Sequence, residues 1–298
     1  MWQSVVAASI LSSYVLAPLF IKRVASLQSR TRNLVWQYFF AASFAFATSL
    51  AFGNGLNFFD IRVAVVAVIG AFNAFACYCH WRAVDVSLSK TSLFTQADDL
   101  TCLLLGFIIL GEGKFLSLLL ALGVILSFGS VSMFTAAKSK SLSESDNKGQ
   151  LLKKLGIFRW ILLYSFIWGV ALFSMRFFAL GGMSLVSFIA AWYGGAFVGA
   201  VVVFCLGGKK EAGQPLQPEQ VRQVFSLSLI IWMSLQLAFW ARSLVPIVVI
   251  QPIAQVSEMI LPTAIGLWVF KERKNLKLIE KLAFVVGILG SLTIIFSF

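Results

Sequence analysis

Charge is scarce in this chain of 298 residues: 12% are Asp, Glu, Lys or Arg, with a single histidine and four cysteines. An average soluble domain carries about 25% charged residues, so the composition excludes a water-soluble enzyme and a disordered regulator. The lone histidine, His80, rules out a multi-histidine metal site, and beside Trp81 it reads as an interfacial residue. Cys77, Cys79, Cys102 and Cys205 all fall in apolar stretches without disulfide or zinc spacing and read as small buried residues. No glycine-rich loop ends in Lys-Ser or Lys-Thr, so nothing supports ATP-driven pumping. No cofactor, no metal and no enzymatic activity are expected.

What the chain has in abundance is apolar surface: 59% of its residues are hydrophobic and its mean hydropathy is +0.90. That is the composition of an integral membrane protein. Ten apolar runs are long enough to span a bilayer: Trp2–Ile21, Asn33–Phe52, Arg62–Trp81, Leu88–Leu110, Phe115–Ala136, Ile157–Phe178, Ser184–Leu206, Gln223–Ala241, Pro246–Phe270 and Glu280–Phe298. The first run has no basic residue before it and Lys22-Arg23 after it, the reverse of a cleavable signal, so it reads as a retained span. The expected fold is an all-α membrane protein of ten transmembrane helices arranged as two inverted five-helix repeats. Residues 1–136 and 157–298 are the repeats, joined by a Ser- and Lys-rich flexible linker over 137–156.

The net charge of +12 does not point to nucleic acid. Lys and Arg crowd into alternate connectors, where they orient the protein and meet anionic head groups; the opposite side carries only Arg62, Lys114, Arg176 and Arg242. The positive-inside rule then places both termini outside the cytoplasm. The compact loops read as those of a bacterial cytoplasmic membrane protein, an organelle being the alternative.

A shift of 160 residues aligns the chain with itself, pairing Arg82 with Arg242, Asp98 with Glu258 and Glu112 with Glu272. It also pairs Thr91 with Gln251 and Thr95 with Gln255. Repeats with an odd number of spans cross the membrane in opposite senses, the inverted arrangement common among secondary transporters. The stretch Arg82-Ala83-Val84-Asp85-Val86-Ser87, a polar-faced helix and Leu110-Gly111-Glu112 resemble the EamA-type repeat of the drug/metabolite transporter superfamily. The second copy, with Pro262 and Phe270-Lys271-Glu272-Arg273, is more similar still. The resemblance covers the whole chain and implies a ten-helix transporter with a central cavity, without fixing the substrate. The sequence differs from that pattern at Cys102, where the family often has proline, and in its outside termini, where many members place theirs inside.

The informative residues are acids inside apolar runs. Carboxylates at membrane depth are costly and face a cavity or a partner. Thr91, Thr95, Asp98 and Cys102 share one face of the fourth helix, and Gln251, Gln255, Glu258 and Pro262 repeat that spacing on the ninth. Burial and mutual repulsion favour protonation, so Asp98 and Glu258 are candidates to bind a proton, a cationic group, or both in turn. Asp99 points about 100° away from that face. Pro252 and Pro262 interrupt the ninth helix and are candidate hinges, with a static kink as the alternative. Tyr14, Trp168, Trp192, Tyr193, Gln236 and Trp240 are candidates to complete a cavity, although aromatics also favour interfaces and packing. Arg82 and Arg242 read as snorkelling residues, and Gly195 and Gly199 as a close-packing pair.

The expected function is therefore a secondary transporter, exporter or exchanger, of a small organic metabolite by alternating access. Its expected partners are the bilayer, the small-molecule substrate and protons. The alternatives are a membrane enzyme acting on lipid and a non-transporting assembly partner.

Overall fold

The computed structural model describes residues 2–27, 30–52, 60–86, 88, 91, 97–143, 148–207, 216–271 and 278–297. These form helices and turns with no strand among the described residues. In chain order the helices are α1 (Trp2–Ala25), α2 (Arg30–Phe52), α3 (Ile61–Val86), α4 (Ala97–Ile109) and α5 (Leu118–Ser143). They continue with α6 (Lys148–Leu180), α7 (Leu185–Leu206), α8 (Pro218–Leu244), α9 (Ile247–Trp268) and α10 (Leu278–Ser297). A 3-10 turn, Glu112–Phe115, separates α4 from α5.

Among the described residues, seven helices are long and apolar enough to cross a membrane: α1, α2, α3, the Leu162–Leu180 part of α6, α7, α8 and α9. Shorter apolar stretches lie in α5 (Leu118–Ser130) and α10 (Lys281–Ser297). The chain is thus an all-helical, multi-pass membrane protein. The polar segment 137–156, expected as a flexible linker, is helical over 137–143 and 148–156, with 144–147 outside the described residues. Hydropathy misses such extensions because Lys, Leu and Gln are good helix formers whatever their polarity.

The chain forms two compact units. The first contains Met1–Asp85 and Ser174–Leu244. Within it α2 packs against α7 and α8, and α8 against α1. Rings fill these seams: Phe40 and Phe44 stand edge-on to Phe225 at 5.3 and 5.4 Å, and Phe188 lies 4.6 Å from Phe239. Glycines bring α3 and α7 to backbone contact. A methyl group at Gly195 or Gly199 would fall on the carbonyl oxygens of Ala67 or Ala71, and one at Gly70 on that of Trp192. Lipid tails are as apolar as the side chains, so close packing of small residues supplies the helix association that hydrophobic burial supplies in water.

Helix α1 contains a π turn, Leu11–Leu16, between its two α-helical halves. Beyond it Lys22 donates from Nζ to the carbonyls of Val84 (2.8 Å) and Asp85 (3.1 Å), placing a cation on the negative end of α3. Arg30 pairs with the Asp85 carboxylate at 2.8 Å.

The second unit contains Val86–Phe173 and Val245–Phe298. Here α5 runs along α10, and α9 packs against α4, α5 and α10. The α5–α10 seam closes through Gly123 against Ile294 and Gly290 against Ser127. Gly287 meets Ser130 of α5 and Val256 and Met259 of α9.

Candidate functional site

In the second unit the polar stripes of α4 and α9 meet. Asp98 and Asp99 stand in the first turn of α4 with no exposed surface, and Glu258 of α9 is buried as well. One oxygen from each of the three carboxylates lies within 4.8 Å of the other two. The Asp99 amide donates to Asp98 Oδ1 at 2.7 Å, which fixes one carboxylate against its own helix. Gln251 of α9 donates from Nε2 to Asp99 Oδ1, and its Oε1 accepts from the Cys102 thiol at 3.5 Å. A single glutamine thus ties α9 to two residues of α4, one turn apart. Gly169 of α6 makes room for this arrangement, because a methyl group there would strike the Asp98 backbone carbonyl and the Thr101 side chain.

Asp99, which the helical wheel turns away from the stripe, belongs to the cluster because Gln251 reaches it from the facing helix. Thr91 is buried, and Thr95 lies outside the described residues. Gln255 is 1% exposed, and its Oε1 accepts no hydrogen bond among the described residues. Leaving such an acceptor buried and unmatched costs about 1–3 kcal/mol. Pro252 and Pro262 are buried inside α9, yet the helix continues through both from Ile247 to Trp268, so it is not interrupted at either.

The remaining candidates do not all face inward. Trp168 stacks on Tyr164 at 6.4 Å in the second unit. In the first unit Tyr193 is buried and donates its hydroxyl to the Ile231 carbonyl at 2.7 Å, while Trp192 packs on Phe188. Tyr14 sits half-buried in the π turn of α1, and Gln236 is half-buried on α8. Trp240 is 45% exposed, which removes it from the list of inward-facing residues.

Arg242 corrects the snorkelling expectation. It is buried, and its Nη1 donates to the Ala238 carbonyl within its own helix at 3.3 Å. The Arg242 carbonyl accepts in turn from Arg176 Nη1 at 2.8 Å. The sequence marks Glu112 through its match to Glu272 and its place in Leu110-Gly111-Glu112, without a partner for it. In the structure it is buried and its Oε2 accepts from the Ile247 amide, putting a carboxylate on the positive end of α9.

Burying three carboxylates together demands compensation. At this spacing in a weakly polar interior, three ionised groups repel strongly. Partners that favour the buried charge or hold part of it as a proton are what such an arrangement requires. Asp98, Asp99 and Glu258 offer oxygen donors, the type that suits hard ions rather than zinc or copper.

The protein class these features define is a multi-pass, all-helical membrane protein with a buried acidic cluster. No family model and no curated protein sequence matches the chain. Its fold is similar to that of a protein known from a crystal structure, with a TM-score of 0.67 over 98% of this chain and 96% of that one. At 13% sequence identity the likeness carries the fold alone.

Proposed function

We propose that this protein is a secondary transporter of a small organic metabolite, working by alternating access through ten spans in two inverted five-helix repeats. The observation that carries the reading is the buried Asp98–Asp99–Glu258 cluster, in which Asp98 and Glu258 occupy matched positions of the two halves. Asp98 and Glu258 alternate between a proton and a cationic partner, and that exchange couples the conformational cycle to an ion gradient.

The 160-residue periodicity supports the repeat. Helices α5 and α10 begin at Leu118 and Leu278, which the shift superimposes. The boundary between the compact units falls after Asp85 and again after Leu244, one residue from where the same shift would put it. Each unit therefore draws equivalent helices from both halves of the sequence. Resemblance to the EamA-type repeat points the same way.

The test is uptake of a broad metabolite mixture by proteoliposomes, read by mass spectrometry with and without an imposed pH gradient. Wild-type protein concentrates at least one solute in a gradient-dependent manner. Asp98→Asn and Glu258→Gln proteins that insert normally lose that dependence. Unaltered flux and pH dependence in both variants refutes the assignment.

A further inference from the structure

We infer that the first unit holds a binding site in which Gln37, Tyr38 and Cys77 receive a neutral solute through an N–H or O–H group of that solute. The inference rests on the reading of the protein as a transporter of a small organic metabolite. It adds the chemical class of that metabolite and the side chains that hold it.

A chain of hydrogen bonds inside the first unit stops short. Asn73 of α3 donates from Nδ2 to the Tyr38 hydroxyl of α2 at 3.3 Å. The Tyr38 hydroxyl and the Gln37 amide both donate to the thiol of Cys77, one turn along α3 from Asn73. On α7 the Tyr193 ring lies 6.3 Å from that of Tyr38. Gln37 is 2% exposed, and its Oε1 accepts no hydrogen bond among the described residues. The nitrogen of the same amide is engaged with Cys77, so that oxygen is held beside the thiol. Polar networks that only pack a core are matched throughout; this one ends on an open acceptor.

Cys77 shows where the network opens. It is half-buried, whereas Asn73 and Gln37 are buried. At about 100° per residue, Cys77 stands about 140° around α3 from Phe72 and about 180° from Val68, both of which are exposed. Its accessible surface therefore lies on the side of α3 turned away from lipid, where a solute can meet it. Chemistry then sets the class of solute. Gln37, Tyr38, Asn73 and Cys77 are two amides, a phenol and a thiol, with no carboxylate or cation among them. A charged group taken from water into such surroundings loses its hydration without gaining an opposite charge, so the bound group is neutral. An open acceptor requires a donor, so the group carries N–H or O–H; a ketone or an ether has no proton to offer.

The experiment uses full-length protein in lipid nanodiscs treated with methyl methanethiosulfonate, a small neutral thiol reagent, and follows modification of Cys77 by mass spectrometry. Acetamide, acetone and acetate are the competitors: a neutral donor, a neutral molecule of similar size without one, and an anion of similar size. Cys77 is modified in wild-type protein, and acetamide slows the reaction while acetone and acetate at the same concentration do not. Gln37→Leu raises the acetamide concentration needed by about three- to tenfold, the scale of one hydrogen bond. Its Tm is unchanged or higher, because an unmatched acceptor has been removed. The three competitors on wild-type protein decide the matter should that variant not fold. No modification of Cys77, no slowing by acetamide, equal slowing by acetone or acetate, or unchanged acetamide protection in Gln37→Leu overturns the site. Metabolite uptake without acetamide protection overturns this inference and leaves transport standing. Protection without uptake does the reverse.

Discussion

Replacing Gly195 by alanine adds one methyl group to a helix that alanine would ordinarily stabilise. In an exposed helical position the change gains about 0.5–1 kcal/mol, because glycine loses more backbone freedom on folding. At Gly195 the new carbon would fall on the backbone carbonyl of Ala67 in α3, with the Ala67 Cα close behind. No flexible side chain stands there to move aside, so the relief must come from α3 and α7 moving apart. Overpacking of this kind costs about 1–3 kcal/mol, and the separation also loosens Gly199 on Ala71 and Gly70 on Trp192. The expected net effect is destabilisation by about 1–3 kcal/mol, measured as the shift in reversible unfolding in mixed micelles. Gly129 of α5 supplies the control: it is helical and exposed, with open space where its methyl would be. Gly129→Ala is expected to be neutral or slightly stabilising. Equal stability of the two variants would show that α3 and α7 do not meet at backbone distance, and the packing argument would fail.

Two further outcomes are open to measurement. Glu112→Gln keeps an oxygen for the Ile247 amide but removes a buried charge from the α9 N-terminus, and is expected to cost about 1–2 kcal/mol. Glu112→Ala also orphans that amide and is expected to cost about 2–4 kcal/mol; equal losses in the two variants would refute the assigned contact. Asp60, just before α3, is held below the usual carboxylate range by the hydrogen bond from the Arg62 side chain and then by the Arg62 backbone amide. A depressed folded value means the interaction contributes above the unfolded value, near about 4, and is lost as pH falls through the lower folded one. Asp60→Asn should therefore flatten the acid side of a Tm-versus-pH curve and leave the neutral side nearly unchanged.

Much of this architecture was legible in the residues because a membrane simplifies the code. The seventh apolar run, expected over Ser184–Leu206, appears as α7 over Leu185–Leu206, with the Ser184 hydroxyl accepting from the Ser187 amide at 3.1 Å as its cap. In the sequence the run is bounded by Gly181-Gly182 before it and Gly207-Gly208-Lys209-Lys210 after it, so hydropathy and helix end together. They part company in α6, which begins at Lys148 although its apolar portion starts later, because helix propensity ignores polarity. The spacing on α9 was readable, and Gln251 and Glu258 reach the acids of α4. Asp99 was undervalued because a wheel drawn for one helix says nothing about how far the facing helix can reach. The role of Glu112 lay beyond the pattern for a related reason: its partner, the Ile247 amide, is a backbone group 135 residues away. The π turn of α1 has no signature in Leu-Ser-Ser-Tyr-Val-Leu that hydropathy registers.

That turn has a consequence for how α1 tolerates change in length. A π turn is one residue of surplus wound into an α-helix, and here it divides the segment bearing Ser9 from the one bearing Lys22. Winding all six residues of Leu11–Leu16 as ordinary α-helix would swing one end about 100° relative to the other. The Lys22 ammonium would then leave the carbonyls of Val84 and Asp85. The surplus acts as a phase adjuster: it lets one rod show its neighbours two faces that straight winding of the same residues could not present together, so excising one residue there keeps the two ends in step, whereas tightening the turn without a deletion would not.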